Sequence, residues 1–261
     1  MKTSACIETL FTELPWEKRF KAAKEAGFDY IEFWSWTDKD LDQIKELSEK
    51  ADIKISGFNG DADYSLVDPS HKEKYITFLK QSIAAAQKIG AESVTIHSNA
   101  LGEGGIVVNH YTELSDTVKL CSMYDMLKEI APLAEESGIS LNLEALNITT
   151  DHVGNFLKNT QMAAEMIRLI HSPKLKILYD IYHMQLNEGS ICDTLTKYID
   201  TIGHIHIADA PGRNEPGTGE INYPNIIKHL EKLGYEGKIG CELFPIDNTE
   251  KAVKAIMEIF K

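Results

Sequence analysis

The sequence predicts an α/β protein built as one (β/α)8 TIM barrel. Three observations predict it: short runs rich in β-branched residues alternate with longer amphipathic segments, eight such runs are present, and no GxGxxG motif follows the first run. Strict alternation of strands and helices indicates a parallel sheet, and eight strands favour a closed barrel over an open doubly wound sheet. The chain of 261 residues has the length of one such barrel and no linker-like stretch. We therefore expect residues 1–261 to form a single domain.

The individual elements follow from hydrophobic spacing. The predicted strands are residues 4–7, 30–34, 53–58, 93–97, 140–144, 176–180, 203–207 and 238–243. The clearest predicted helices are residues 16–26, 40–50, 71–89, 122–137, 159–170, 225–233 and 250–259. Glycine, the residue type expected just past a helix C-terminus, follows four of these helices. The four are Gly27, Gly90, Gly138 and Gly234.

Composition and charge limit the classes of partner. The chain carries 40 acidic and 27 basic residues, a net charge of −13 at pH 7. A surface this acidic repels phosphate backbones, so we expect no nucleic acid partner. No apolar run approaches the roughly 20 residues of a membrane span, and the residues after Met1 enter a predicted strand instead of a signal peptide. We therefore expect a cytoplasmic protein with no membrane partner and four reduced cysteines; whether it forms a homo-oligomer is left open.

Four ionisable side chains are predicted to meet at one end of the barrel. Chemistry in these barrels is located where the strands end, and alternate side chains of each strand point inward. On the last four strands the final inward-facing residues are Glu144, Asp180, His206 and Glu242. Three adjacent carboxylates repel one another unless a cation lies between them. Three oxygen ligands and one imidazole favour Mn²⁺ or Mg²⁺, with Zn²⁺ or Co²⁺ as alternatives.

Several segments of the chain resemble hydroxypyruvate isomerase. That family belongs to the xylose isomerase-like TIM barrels, alongside the ketose 3-epimerases. The resemblance is carried by YDIYHMQ at 179–185, GHIHIAD at 203–209, PGRNEPGTGEINY at 211–223 and GCE at 240–242, and it extends to 10–15 and 26–28.

The resemblance implies a metal-dependent isomerase that moves a proton between two adjacent carbons of a small hydroxy-ketone or keto-acid through an enediolate. It implies that the four strand-end residues hold the metal and that Glu144 and Glu242 also transfer the proton. It further implies that His183 and Arg213 bind substrate. The forked guanidinium of Arg213 suits a substrate carboxylate.

Other functions remain open at this point. The isomerases often carry Gln where this chain has His206, whereas the epimerases carry His, so a ketose 3-epimerase or a related lyase of keto-sugars is the alternative. The AP endonucleases share the barrel but bind DNA through three metals, and residues 207–209 offer no Asp-x-His pair for the third. A barrel that only binds ligands would need no metal.

Three further polar residues lie on the inward faces of strands. Glu32 and His97 either support the ligands and substrate or form hydrogen bonds within the core. His204, one layer below the strand-end histidine, is predicted to be structural.

Overall fold

The computed structural model describes residues 1–261 and shows a closed barrel of eight parallel strands. The strands are β1 (Lys2–Cys6), β2 (Tyr30–Phe33), β3 (Lys54–Asn59), β4 (Ser93–His97), β5 (Ser140–Glu144), β6 (Leu175–Asp180), β7 (Ile202–Ile207) and β8 (Lys238–Cys241). Each strand pairs with its neighbours in sequence, and β8 closes the barrel against β1 with Gly240 opposite Ser4. The predicted TIM barrel is confirmed.

Helices surround the strands. They are α1 (Trp16–Glu25), α2 (Leu41–Ala51), α3 (Lys72–Ile89), α4 (Asp116–Ser137), α5 (Thr160–Ile170), α6 (Ile181–Asn187), α7 (Ile191–Tyr198), α8 (Tyr223–Lys232) and α9 (Thr249–Glu258). Short 3-10 helices occur at Pro69–His71, Glu103–Gly105 and Ile199–Thr201. The four glycines after helices have positive φ angles of 96°, 73°, 78° and 71°, as expected for the left-handed ends of helices.

The structure differs from the sequence prediction at three places. Helix α4 begins at Asp116 instead of residue 122, because the Ser115 side chain accepts a hydrogen bond from the backbone N–H of Val118 and caps an earlier turn. Helices α6 and α7 are not predicted, since both are too short to show a clear apolar period. Strand β8 ends at Cys241, which places Glu242 just beyond it.

The apolar core lies between the strands and the helices, and the inside of the barrel is largely polar. On β5, Leu141 and Leu143 are fully buried in the apolar core, whereas the alternate residues Asn142 and Glu144 are buried polar groups. No helix combines the length and the apolar character needed to cross a membrane.

Candidate active site

A cavity of about 440 Å³ opens at the carboxyl ends of the strands. This is the end of a TIM barrel at which active sites occur. Seven of the eight predicted site residues line the cavity, and they are Glu32, His97, Glu144, His183, His206, Arg213 and Glu242. The eighth, Asp180, is only 1% exposed and lies among them.

Asp180 joins two groups of potential metal ligands. One ligand atom each from Asp180, His206 and Glu242 lie within 4.8 Å of one another. The same holds for Glu144, Asp180 and His183. The structure therefore brings the other three predicted strand-end residues around the carboxylate of Asp180 and adds His183 beside them.

Two buried atoms in this cluster lack a hydrogen-bond partner. They are Oε1 of Glu144 and Nδ1 of His206. An unpaired buried polar atom is costly, and a cation bound by both atoms would remove the cost. Burial and the nearby charge of Glu144 also raise the pKa of Asp180 to about 7, the repulsion expected when no cation separates the carboxylates. The residues present fit a divalent cation.

His206 is oriented from behind by Glu32. Nε2 of His206 lies 2.9 Å from Oε1 of Glu32, while Nε2 of His204 lies 3.1 Å from the other oxygen. Burial would raise the pKa of Glu32, but the two imidazoles hold it well below the usual range. A carboxylate behind an imidazole orients the ring, here with Nε2 toward Glu32 and Nδ1 toward the cluster.

The space for this arrangement comes from Gly240 on β8. A Cβ atom at this position would lie 2.5 Å from Cδ2 of His206 and closer still to the carboxylate of Glu32. Both side chains would have to move. Glycine is therefore required for the close approach of β8 to the pair.

Glu144 is held by a buried histidine. His97 donates from Nε2 to Oε2 of Glu144 at 3.1 Å and from Nδ1 to Oδ1 of Asp61 at 2.9 Å. Burial alone would lower the pKa of His97, but the two carboxylates raise it to about 10. The imidazolium fixes one oxygen of Glu144 and leaves the other facing the cluster.

Glu242 has donors on both oxygens. Trp34 donates from Nε1 to Oε1, and Arg213 donates from a terminal nitrogen to Oε2 at 2.8 Å. Burial would raise the pKa of Glu242, yet Arg213 and His206 keep it well below the usual range. The remaining Nε of Arg213 is buried and has no partner.

The loop that carries Arg213 is organised by Asp209. Its carboxylate accepts hydrogen bonds from the backbone N–H groups of Ala210, Gly217 and Ile221. The backbone N–H of Phe244 then donates to the carbonyl oxygen of Arg213 at 2.8 Å. These bonds join the PGRNEPGTGEINY segment to the residues after β8.

His183 follows Asp180 in the first turn of α6. The side chain of Asp180 caps this helix by accepting from the backbone N–H groups of Tyr182 and His183. Nε2 of His183 lies 3.6 Å from Oδ2 of Asp180. Burial and the charge of Arg213 hold the pKa of His183 well below its usual value, so the ring is neutral.

The structure adds residues that the sequence prediction misses. Asp61 follows β3 and holds His97, while Asn147 and His152 follow β5 and reach the His183 side of the cavity. All three come from loops, where no strand alternation indicates which way a side chain points. His204, predicted to be structural, contacts Glu32 below the site, with Nε2 3.1 Å from Oε2.

The family described as xylose isomerase-like TIM barrel matches residues 20–261. A hydroxypyruvate isomerase of Escherichia coli (strain K12) is 30% identical over 97% of both chains. A 2-oxo-tetronate isomerase of Cupriavidus necator is 38% identical over 94% of both chains. The resemblance to hydroxypyruvate isomerase is therefore confirmed.

Solved structures agree on the fold. An AP endonuclease of family 2 from Brucella melitensis has a TM-score of 0.89 at 24% identity and covers 98% of each chain. A D-psicose 3-epimerase from Clostridium cellulolyticum H10 has a TM-score of 0.80 at 20% identity, covering 98% of this chain and 90% of its own. At these identities the likeness shows the barrel, whereas the curated relatives show the reaction class. The chain belongs to the xylose isomerase-like TIM barrel family, and it is an isomerase.

Proposed function

We propose that this isomerase converts a small hydroxy-2-oxo acid, of the hydroxypyruvate or 2-oxo-tetronate type, with the help of one divalent cation. The observation that carries the proposal is the pair of unpartnered buried atoms, Glu144 Oε1 and His206 Nδ1, at a cluster of three carboxylates. Relatives that act on such oxo acids, matched over nearly the whole chain, support the substrate class.

Glu144, Asp180, His206 and Glu242 would hold the cation. Three carboxylates and one imidazole suit Mn²⁺ or Mg²⁺, and the imidazole also suits Zn²⁺ or Co²⁺. When bound, the ion supplies Lewis-acid stabilisation of the negative charge that develops on the substrate oxygens.

Glu144 and Glu242 are the proposed proton-transfer pair. Glu144 takes the proton from the substrate carbon, with its carboxylate held by the hydrogen bond from His97 to Oε2. Glu242 acts at the neighbouring carbon, with its carboxylate oriented by Trp34 and Arg213. The proton leaves one carbon and a proton returns to the next, so the oxo group and the hydroxyl exchange places without an external oxidant.

Arg213 and His183 are the proposed substrate-binding residues. Nε of Arg213 is an unpaired buried donor that a substrate carboxylate would satisfy, and the ring of Tyr182 lies 5.4 Å from the guanidinium carbon. Nε2 of His183 carries a hydrogen, because Nδ1 receives a hydrogen bond from Asn147. Both side chains would orient the substrate against the two glutamates.

Removal of the metal is expected to abolish isomerisation. Chelator-treated protein should regain activity with Mn²⁺ or Mg²⁺, and the melting temperature should rise because the ion binds only the folded chain. At 100 times its dissociation constant the ion adds about 2.7 kcal/mol to the free energy of unfolding. Activity assays and thermal melts, each with and without added cation, measure both effects.

Asp180→Asn provides the matched control for that experiment. Asparagine retains an oxygen that caps α6 but loses the ligand charge, so most of the cation-induced rise in melting temperature should disappear. Full activity of the metal-free protein would contradict the proposed metal dependence.

Ketose 3-epimerisation is the second candidate, because a histidine at position 206 is the residue type of the epimerases. The same glutamate pair would remove and return a proton at C3 of a free ketose. A screen of hydroxypyruvate, 2-oxo-tetronate and free ketohexoses separates the two reactions. If the protein converted free ketohexoses and neither of the two oxo acids, the result would favour the epimerase.

A further inference from the structure

A buried histidine outside the proposed ligand set also lines the cavity. His152 follows β5 and is 5% exposed. Its ring lies against that of His183, with centroids 5.0 Å apart and planes at 73°. It makes no ion pair with the metal-binding cluster, so the function proposed above leaves it without a role.

The tautomer of His152 is fixed by a backbone carbonyl. Nδ1 lies 2.7 Å from the carbonyl oxygen of Gly105, which can only accept, so Nδ1 carries the hydrogen. Burial lowers the pKa of His152, which keeps the ring neutral. Nε2 is therefore a lone-pair acceptor, and it is buried without a partner.

The loop at Glu103–Gly105 prevents the ring from turning away. A Cβ atom on Gly105 would lie 2.7 Å from Cε1 of His152, and Gly105 has a φ angle of +78°. The backbone therefore lies directly against the imidazole. This close packing holds the acceptor in place.

His183 carries the opposite tautomer. The side-chain oxygen of Asn147 accepts hydrogen bonds from the backbone N–H groups of Thr150 and Asp151, so its amide nitrogen must face His183. That nitrogen donates to Nδ1 of His183 at 2.7 Å, which leaves the hydrogen on Nε2. A buried donor and a buried acceptor therefore stand side by side at the cavity wall.

We propose that His152 is a specificity-determining residue whose Nε2 accepts a hydrogen bond from a substrate hydroxyl that takes no part in the reaction. The inference rests on the proposed function. Hydroxypyruvate has one hydroxyl, on a reacting carbon, and so has no donor for His152. A four-carbon 2-oxo acid with hydroxyls on C3 and C4 also has a hydroxyl, on C4, that takes no part in the reaction.

The chain therefore prefers the four-carbon acid. In that reaction the C3 proton leaves, a proton returns at C2, and the hydroxyl proton passes from O3 to O2. His152 exchanges no proton and only accepts the C4 hydroxyl. With the shorter acid its buried lone pair stays unpaired, which penalises binding.

Analogues that bind without reacting test the acceptor in the unmodified protein. In 2,3,4-trihydroxybutanoate the oxo group is replaced by a hydroxyl, and the C4 hydroxyl can be replaced by fluorine or by hydrogen. Fluorine cannot donate, so both replacements should weaken competitive inhibition by about three- to tenfold, the effect of one hydrogen bond. If the fluorine compound inhibited as strongly as the hydroxyl compound, the proposal would be overturned.

Two substitutions at position 152 provide the matched test. His152→Asn retains an amide that can donate to the Gly105 carbonyl but has no acceptor at the position of Nε2. His152→Gln places an amide oxygen near that position. The asparagine variant should bind the inhibitor with a C4 hydroxyl no better than the 4-deoxy inhibitor. The glutamine variant should retain part of the wild-type preference for the C4 hydroxyl.

An unchanged preference in His152→Asn would overturn the inference, and the analogue series decides the matter if that variant does not fold. The two levels of proposal fail differently. If no oxo acid is converted by the metal-loaded protein, the proposed function is wrong. If oxo acids are converted but the three inhibitors bind equally, only the assignment of His152 is wrong.

Discussion

Glu144→Gln is expected to lower kcat for oxo-acid isomerisation by roughly 10²- to 10⁴-fold, the contribution of a positioned proton-transfer group. The amide has the shape of the carboxylate and can still accept a hydrogen bond from His97. It cannot take a proton from the substrate carbon. Exchange of the substrate C–H with solvent deuterium should stop together with turnover.

Two measurements separate this chemical effect from a general loss of structure. Glu231→Gln makes the same change on an exposed side chain of α8 and should leave kcat unaltered. The metal content of each variant shows how much of the loss comes from a missing ligand. If Glu144→Gln retained solvent exchange at the wild-type rate, Glu144 would not be the base.

Glu32→Gln is expected to weaken metal binding by about 10- to 100-fold, as found for other residues that orient a histidine ligand. A carboxylate can accept from His204 and His206 at once, whereas an amide has one oxygen and one NH₂ group. Whichever imidazole faces the NH₂ group must give up its hydrogen at Nε2. If that ring is His206, its hydrogen moves to Nδ1, the atom that would bind the ion.

Titration of the metal-free variants with Mn²⁺, followed by calorimetry, measures the loss. Ser56→Ala is the matched comparison, because it removes the hydrogen bond of 2.8 Å to Glu32 and leaves both imidazole contacts. Its effect on affinity should be much smaller. Equal Mn²⁺ affinities for Glu32→Gln and wild type would show that His206 does not need the Glu32 carboxylate in order to bind the ion.

The sequence predicts the barrel and the ionisable strand residues at its cavity for a physical reason. Strand alternation has a period of two, so the inward position of Glu144 and Asp180 follows from counting back along buried strands. The same rule places Glu32 and His97 on the inward face. It gives no information on loops, where Asp61, Asn147 and His152 lie, because their direction depends on long-range backbone contacts.

The sequence also leaves the contacts of the predicted site residues undetermined. Glu32 is recognisable as an inward carboxylate, but its position between two imidazoles depends on how β2 and β7 face each other across the barrel. Helix α6 is missed because it follows strand β6 without a loop and lasts only seven residues. Such features require the assembled barrel.

Gly240 limits how this protein could be made more heat-resistant. Filling underpacked interiors is a common way to raise thermal stability, and a glycine inside a strand is an obvious target for replacement by alanine. Here the added methyl group would displace Glu32 and His206, so a substitution meant to stabilise the centre of the barrel would disturb the proposed metal site. Engineers seeking a robust catalyst from this scaffold should work on the outer helices and the loops at the opposite end.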